Sequence, residues 1–132
     1  MPEPVAKDRV TIRLPAEGAY LSVLRTATAG LAARLDFTLD EIEDLRIAVD
    51  EACGMLLSHS APGGSLDCDF TLGEDSMTIA VSVRTARAGL PARDTFAWTV
   101  LSALAGSVDA WTGPDDTVTV MLRKTRELSR PG

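Results

Sequence analysis

The sequence is poor in the residues that build metal sites and disulfide frameworks. Its 132 residues include two cysteines and one histidine, His59. A structural zinc site uses about four sulfur or nitrogen ligands, and disulfide-based folds use several cysteine pairs. We therefore expect no metal centre, and we expect Cys53 and Cys68 to be buried thiols in the reducing cytoplasm.

Long apolar runs and an excess of basic residues are also lacking. No stretch approaches the roughly 18 consecutive apolar residues of a membrane-spanning helix, and no signal-peptide pattern opens the sequence. The 13 Lys and Arg residues stand against 19 Asp and Glu residues, so the net charge is −6. These features predict a cytoplasmic protein that binds neither membrane nor nucleic acid and whose partner offers a basic surface.

What the sequence does contain is an alternation of strand and helix patterns in a chain long enough for one domain with its own core. Period-2 apolar alternation predicts strands and 3.6-residue spacing predicts helices. The predicted strands cover residues 9–14, 66–72, 77–83, 107–111 and 117–124. The predicted helices cover residues 17–35, 38–60 and a shorter segment capped by Asp94 or Thr95.

The order of these elements is β-α-α-β-β-α-β-β. It predicts an α/β protein, more closely an α+β two-layer sandwich, in which three helices cover one face of a mostly antiparallel sheet. Residues 1–125 are predicted to form this single domain, and the polar residues 126–132 a disordered tail. In the third helix we expect Phe96, Val100, Leu101 and Leu104 to face the core.

The longest helix, residues 38–60, has a well-defined start. Thr38 and Glu41 have the spacing of a capping box, in which each side chain bonds a backbone N–H of the first turn. Phe37 and Ile42 stand where a hydrophobic staple would form. This segment is therefore the best-marked helix of the chain.

An acidic pair, Asp50 and Glu51, lies late in the same helix. The helix has an apolar face with a 3.6-residue period, formed by Ile42, Leu45, Val49, Ala52 and Leu56. A carboxylate close to such a face is costly unless it is paired or functional. The pair is therefore a candidate remnant of chemistry.

The order of elements resembles that of the Bergerat-fold ATPases, the histidine-kinase, Hsp90 and gyrase superfamily, and more closely the anti-sigma-factor serine kinases of bacteria. The L-D-x-T-x-D-E-I pattern at residues 35–42 and the V-D-E-A run at residues 49–52 carry the resemblance. The segment 98–100, the strand 107–111 and the closing strand 117–124 extend it. The resemblance implies a Bergerat-type fold and a homodimer formed through the first strand and first helix.

In that family the central helix carries the motif Glu-x-x-x-Asn, whose Glu acts as the general base and whose Asn holds Mg²⁺ against the nucleotide phosphates. Glu51 matches the Glu, and Met55 occupies the Asn position. A thioether is a poor ligand for a hard cation that prefers oxygen. The resemblance therefore assigns Glu51 as a vestigial base, with a half-solvated edge carboxylate or a partner of Arg84 or Arg87 as alternatives.

The family's adenine-reading motif, Asp-x-Gly-x-Gly, aligns with residues 85–89. Thr85 replaces the Asp, Arg87 replaces the first Gly, and Gly89 matches the second. Only residues 90–94 stand where relatives have a long lid, and residues 95–97 contain neither lid glycine. The resemblance thus gives a degenerate nucleotide site at Glu51, Met55, Thr85 and Gly89, with no cofactor expected and no metal bound.

Relatives also use an Arg of the first long helix to hold an acidic residue of the sigma factor, and that position falls on Arg25. A guanidinium suits this task because its fork can engage a carboxylate through two hydrogen bonds. Ser22 and Ala29 beside it would let a partner approach closely. The alternative is a solvated surface Arg.

The resemblance therefore implies an anti-sigma factor that captures a sigma factor without kinase activity and is released by an anti-anti-sigma protein of the STAS type. The alternative is an ATP-Mg-dependent serine/threonine kinase that phosphorylates the STAS protein. A third possibility is a regulatory module of the same fold with another partner.

Overall fold

The computed structural model describes residues 8–85 and 95–127 of the chain. These residues form five strands and three α-helices, which follow one another in the predicted order. The strands are β1 (Asp8–Pro15), β2 (Ser65–Leu72), β3 (Ser76–Arg84), β4 (Ser107–Thr112) and β5 (Thr117–Thr125). The helices are α1 (Leu21–Arg34), α2 (Leu39–Leu57) and α3 (Phe96–Leu104), with short 3-10 turns at Gly18–Tyr20 and Pro114–Asp116.

The strands form one antiparallel sheet in the order β1-β2-β3-β5-β4. Helix α2 lies at the centre of the helical layer, where it packs against α1, α3, β3 and β5. The core between the two layers includes the fully buried side chains of Leu24, Leu45, Leu56, Phe70, Ile79, Leu101 and Leu122. The predicted α+β two-layer architecture is confirmed.

The other face of the sheet is polar and carries charge pairs between β1 and β2. Arg13 donates through Nε to Asp67 at 2.7 Å, and Thr11 donates through its hydroxyl to Asp69 at 2.6 Å. Arg9 lies 3.3 Å from the same Asp69 carboxylate. These pairs are solvent-exposed and each contributes little to stability, but they satisfy the charges of that face within the sheet.

The start of α2 has the predicted capping box in full. Glu41 donates its backbone N–H to the Thr38 hydroxyl at 3.1 Å, and Thr38 donates its backbone N–H to the Glu41 carboxylate at 2.8 Å. The other carboxylate oxygen of Glu41 accepts the backbone N–H of Glu127 at 2.8 Å. Arg126 and Glu127, the first two residues of the predicted disordered tail, are thus held by backbone hydrogen bonds to Asp75 and Glu41, while residues 128–132 lie outside the described part.

The prediction that Phe96 faces the core is wrong, because its side chain is 81% exposed. Leu101 is the fully buried residue of α3. Successive residues of an α-helix are rotated by about 100°, so Phe96, five positions earlier, points about 140° away from it. Thr95 caps the helix by accepting the backbone N–H of Trp98 at 3.2 Å, which resolves the choice between Asp94 and Thr95 in favour of Thr95.

Candidate functional site

Two of the four predicted nucleotide-site residues, Glu51 and Met55, share one stripe of α2 with Asp44. Glu51 and Met55 are one turn apart, and Asp44 precedes Glu51 by two turns on the same stripe. Asp44 accepts a hydrogen bond from Lys124 at 3.3 Å, and Lys124 also donates to the Leu104 carbonyl at the end of α3 at 2.8 Å. Lys124 therefore links the Asp44 end of this stripe to the end of α3.

Glu51 is half-buried, and within residues 8–85 and 95–127 no ion pair or hydrogen bond to its carboxylate occurs. The proposed pairing with Arg84 is not found: Arg84 donates through Nε to the carbonyl of Asp115 at 3.2 Å. Arg87, the other candidate partner, lies outside the described residues. In the part of the chain that the structure describes, the Glu51 carboxylate is thus available to a ligand or partner.

Met55 packs against the hydrophobic core beside Glu51. Mg²⁺ requires oxygen ligands in octahedral geometry, and the thioether next to this single carboxylate supplies none. Among the described residues, no group of three or more His, Cys, Asp or Glu side chains is placed to hold a metal ion. The donor set at this position therefore does not fit a magnesium–nucleotide complex of the kind that the fold family uses.

Thr85, at the position of the family's adenine-reading Asp, is buried and ties the end of β3 to the turn before β5. Its backbone N–H and its hydroxyl both donate to the carbonyl of Asp116, at 2.9 and 3.1 Å. It also forms an isolated bridge with Ser60 after α2. In this turn Asp115 and Asp116 both have positive φ, at 59° and 58°, a conformation that Asp adopts more readily than most residues other than glycine.

Gly89, the remaining residue of the predicted nucleotide set, lies outside the described residues. The structure therefore brings Glu51 and Met55 together on one face of α2. It gives the Thr85 hydroxyl a structural partner.

The predicted partner-binding residue lies on the opposite side of α2. Arg25 of α1 faces Asp50 of α2, with 3.4 Å between Nε and Oδ1. The two side chains are 40% and 39% exposed. Ser22 is exposed and Ala29 is half-buried on the same helix, one turn to either side of Arg25. The sequence identified Arg25 as a candidate partner contact but did not predict Asp50 as its ion-pair partner.

The two thiols are buried side chains without a disulfide, as predicted. Burial, with a smaller contribution from the charge of Asp50, raises the pKa of Cys53 to about 12. Burial, with smaller contributions from Cys53 and Asp69, raises the pKa of Cys68 well above that of a free thiol. Since the thiolate is the reactive form, burial makes both thiols poorly reactive in the folded protein.

A groove of about 420 Å³ lies on the opposite, polar face of the sheet. Its walls include Arg13, Asp67, Ser82, Arg84 and Asp115. It is open and polar, and its guanidinium groups already bond Asp67 and the Asp115 carbonyl. The sheet separates this groove from Glu51 and Met55, so it is not part of the predicted nucleotide site.

The described helices include none that is both long enough and apolar enough to cross a membrane. No family model matches the chain. Individual proteins, however, are similar to it in sequence. The chain is 38% identical over 76 residues to a serine-protein kinase RsbW of Halalkalibacterium halodurans, a match that covers 57% of this chain and 47% of the relative.

Two further relatives bear the same name. The chain is 35% identical over 78 residues to serine-protein kinase RsbW of Bacillus subtilis, covering 57% of this chain and 49% of the relative. It is 36% identical over 78 residues to that of Listeria monocytogenes serotype 4a, covering 57% and 50%. The chain thus spans about half the length of the curated relatives that it matches.

A crystal structure of the RsbU and RsbW domains of a Mycobacterium tuberculosis protein has the same fold. The superposition covers 94% of the present chain and 33% of the Mycobacterium tuberculosis chain, with a TM-score of 0.72 and 19% sequence identity. Together these findings confirm the predicted resemblance of the chain to the anti-sigma-factor serine kinases of the RsbW type.

Proposed function

We propose that the chain is an anti-sigma-factor-like regulator that sequesters a bacterial sigma factor by direct binding. The observation that carries this proposal is the position of Arg25 in a chain similar to the RsbW kinases. Its guanidinium is half-exposed at the junction of α1 and α2, next to the small residues Ser22 and Ala29. An Arg in such a position can hold a partner carboxylate through two hydrogen bonds.

The proposal includes capture without phosphoryl transfer. Met55 offers no oxygen to Mg²⁺, and the Thr85 hydroxyl donates to the Asp116 carbonyl. Because catalysis of phosphoryl transfer depends on metal and positioning, we expect no kinase activity. Release of the sigma factor would then come from an anti-anti-sigma protein of the STAS type that competes for the regulator in the cytoplasm.

A second candidate function is an ATP-dependent serine/threonine kinase acting on the STAS protein. The relatives are named serine-protein kinases, and Glu51 remains a half-buried, uncommitted carboxylate within the described residues. These two observations favour the enzyme. The two functions differ in one measurable respect, which is whether ATP and Mg²⁺ bind.

The capture proposal is tested with a panel of the source organism's purified sigma factors. We expect one of them to bind, and we expect Arg25→Glu to weaken that binding by about 1.5–3 kcal/mol, the range for hydrogen bonds to charged groups. The matched control is Arg34→Glu, because Arg34 is exposed on the same helix about 180° away from Arg25. Both variants should change the melting temperature by at most a few °C, since the exposed Arg25–Asp50 pair contributes about 0–1 kcal/mol and Arg34 is exposed.

An unchanged dissociation constant for Arg25→Glu would remove Arg25 from the interface. If no sigma factor of the panel binds, the capture proposal is wrong and the third possibility, another partner, takes its place. Homodimer formation through β1 and α1 stays a prediction, which light scattering of the free protein tests.

The kinase alternative is tested by calorimetric titration with ATP and Mg²⁺ and by transfer of radiolabelled phosphate to a STAS protein. We expect neither binding nor transfer. Micromolar nucleotide binding together with transfer that Glu51→Ala abolishes would establish the enzyme and refute capture without catalysis.

A further inference from the structure

The ion pair between α1 and α2 gives the proposed interface an internal competitor. We propose that Asp50 pairs with Arg25 in the free protein and that an acidic side chain of the partner must displace it. Binding would then replace the Asp50 carboxylate at Arg25 with a carboxylate of the partner. This inference rests on the proposed function, because it concerns how the same Arg25 meets the sigma factor.

The geometry of the pair is that of a weak, exchangeable contact. The 3.4 Å between Arg25 Nε and Asp50 Oδ1 is within ion-pair range. Yet Nε is buried and, among residues 8–85 and 95–127, has no hydrogen-bond partner. An unsatisfied buried donor is unfavourable, and a half-exposed ion pair contributes little. Asp50 therefore holds Arg25 by charge without fixing the orientation of the guanidinium.

The missing hydrogen bond decides between two roles for Asp50. If Asp50 oriented Arg25 for the partner, a well-formed hydrogen bond between the two would be needed. Such a bond would fix the Arg25 side chain before binding and so reduce the conformational entropy that it loses when the partner binds. A loose charge contact gives little orientation, but its negative charge still neutralises Arg25 and repels an approaching carboxylate. Both of these effects weaken binding, so Asp50 acts as a competitor.

The partner that fits this site has an acidic side chain able to reach the half-exposed guanidinium between α1 and α2. Ser22 and Ala29 leave room for it beside Arg25. Because one ion pair replaces another, complex formation should respond less to salt in the natural protein than when Asp50 is neutral. Partners without an acidic residue at this position are disfavoured, since nothing compensates for the lost Arg25–Asp50 contact.

The experiment measures dissociation constants for the sigma factor of the panel that binds, using the full chain and the variants Asp50→Asn, Arg25→Ala and their combination. Asp50→Asn should tighten binding roughly threefold to fivefold, the upper range for release of an exposed ion pair. In the Arg25→Ala background the same change should stay within roughly twofold, as for sites that do not interact. The salt dependence of the dissociation constant should become steeper in Asp50→Asn.

Glu43→Gln is the matched control for charge. Glu43 lies two turns before Asp50 on the same helix and pairs with Arg46, so its neutralisation lowers the acidity of the surface without touching Arg25. Equal tightening in Asp50→Asn and Glu43→Gln would show a general charge effect and overturn the inference.

Weaker binding of Asp50→Asn would show that Asp50 orients Arg25, and this too would overturn it. Both results leave the proposed function intact, because the sigma factor still binds. Absence of binding to any sigma factor overturns both proposals together.

Discussion

Glu41 is expected to contribute more to stability than any other carboxylate of α2. It is 5% exposed, and its two oxygens accept the backbone N–H groups of Thr38 and Glu127, each at 2.8 Å. Hydrogen bonds to charged groups contribute about 1.5–3 kcal/mol each. Water can replace the carboxylate at the exposed Thr38, so we expect Glu41→Ala to lower the free energy of unfolding by about 2–4 kcal/mol.

Urea denaturation followed by circular dichroism measures this change, and the melting temperature should fall by about 3–5 °C for each kcal/mol. Glu41→Gln keeps the shape and one carbonyl acceptor but loses the charge, so its effect should be smaller. Glu43→Ala is the control on the same turn and should change stability by less than about 1 kcal/mol. If Glu41→Ala costs less than about 0.5 kcal/mol, the bridge between α2 and the end of β5 is unimportant.

The same residue gives a pH dependence with a definite sign. Burial by itself would raise the pKa of Glu41, but the backbone N–H groups of Thr38 and Glu127, the Thr38 side chain and the charge of Lys124 outweigh it and leave the pKa below its ordinary value. The ionised form is therefore favoured by folding. Its contribution is present above the ordinary Glu pKa of about 4.3 and is lost as the pH falls through the lower folded value. The loss should be absent in Glu41→Gln, and an unchanged acid limb in that variant would contradict the assignment.

Three further outcomes are expected. Leu45→Ala in the core should cost about 2–5 kcal/mol in denaturant titrations, whereas Leu39→Ala on the same helix, where the side chain is 82% exposed, should stay within about 0.5 kcal/mol. Cys53 and Cys68 should react with a thiol reagent at pH 8 only after unfolding, because burial raises both pKa values; rapid labelling of the native protein would contradict their burial. Met55→Asn alone should not produce ATP-Mg²⁺ binding in calorimetry, because the adenine and lid positions stay changed; binding would assign the loss to position 55.

Local patterns predicted most of the fold because they depend on neighbouring residues. The capping box at Thr38 and Glu41 fixed the start of α2, since its hydrogen bonds join residues three positions apart. Period-2 alternation identified β1, β2, β3 and β5. The sequence could not predict that Glu41 also bonds Glu127, because that contact joins residues 86 positions apart and depends on how β5 ends against α2.

The contacts of the candidate residues could not be predicted from the sequence. The sequence showed Asp50 and Glu51 as one acidic pair, whereas adjacent residues of a helix point about 100° apart. Asp50 therefore meets Arg25 of α1, and Glu51 lies on the stripe toward α3. Which neighbour each carboxylate meets depends on the packing of three helices, and periodicity within one helix does not determine it.

This division of α2 into two sides bears on how the two candidate functions relate. The side toward α1 carries the Arg25–Asp50 pair, and the side toward α3 carries Glu51 and Met55. A change of side chain at Met55 on one side leaves the Arg25 guanidinium on the other side in place, because the core face of α2 between them is unchanged. Capture without phosphoryl transfer, as proposed above, is therefore compatible with this arrangement of α2. For the same reason, Arg25→Glu should leave the nucleotide assay unchanged, and Met55→Asn should leave sigma-factor binding unchanged.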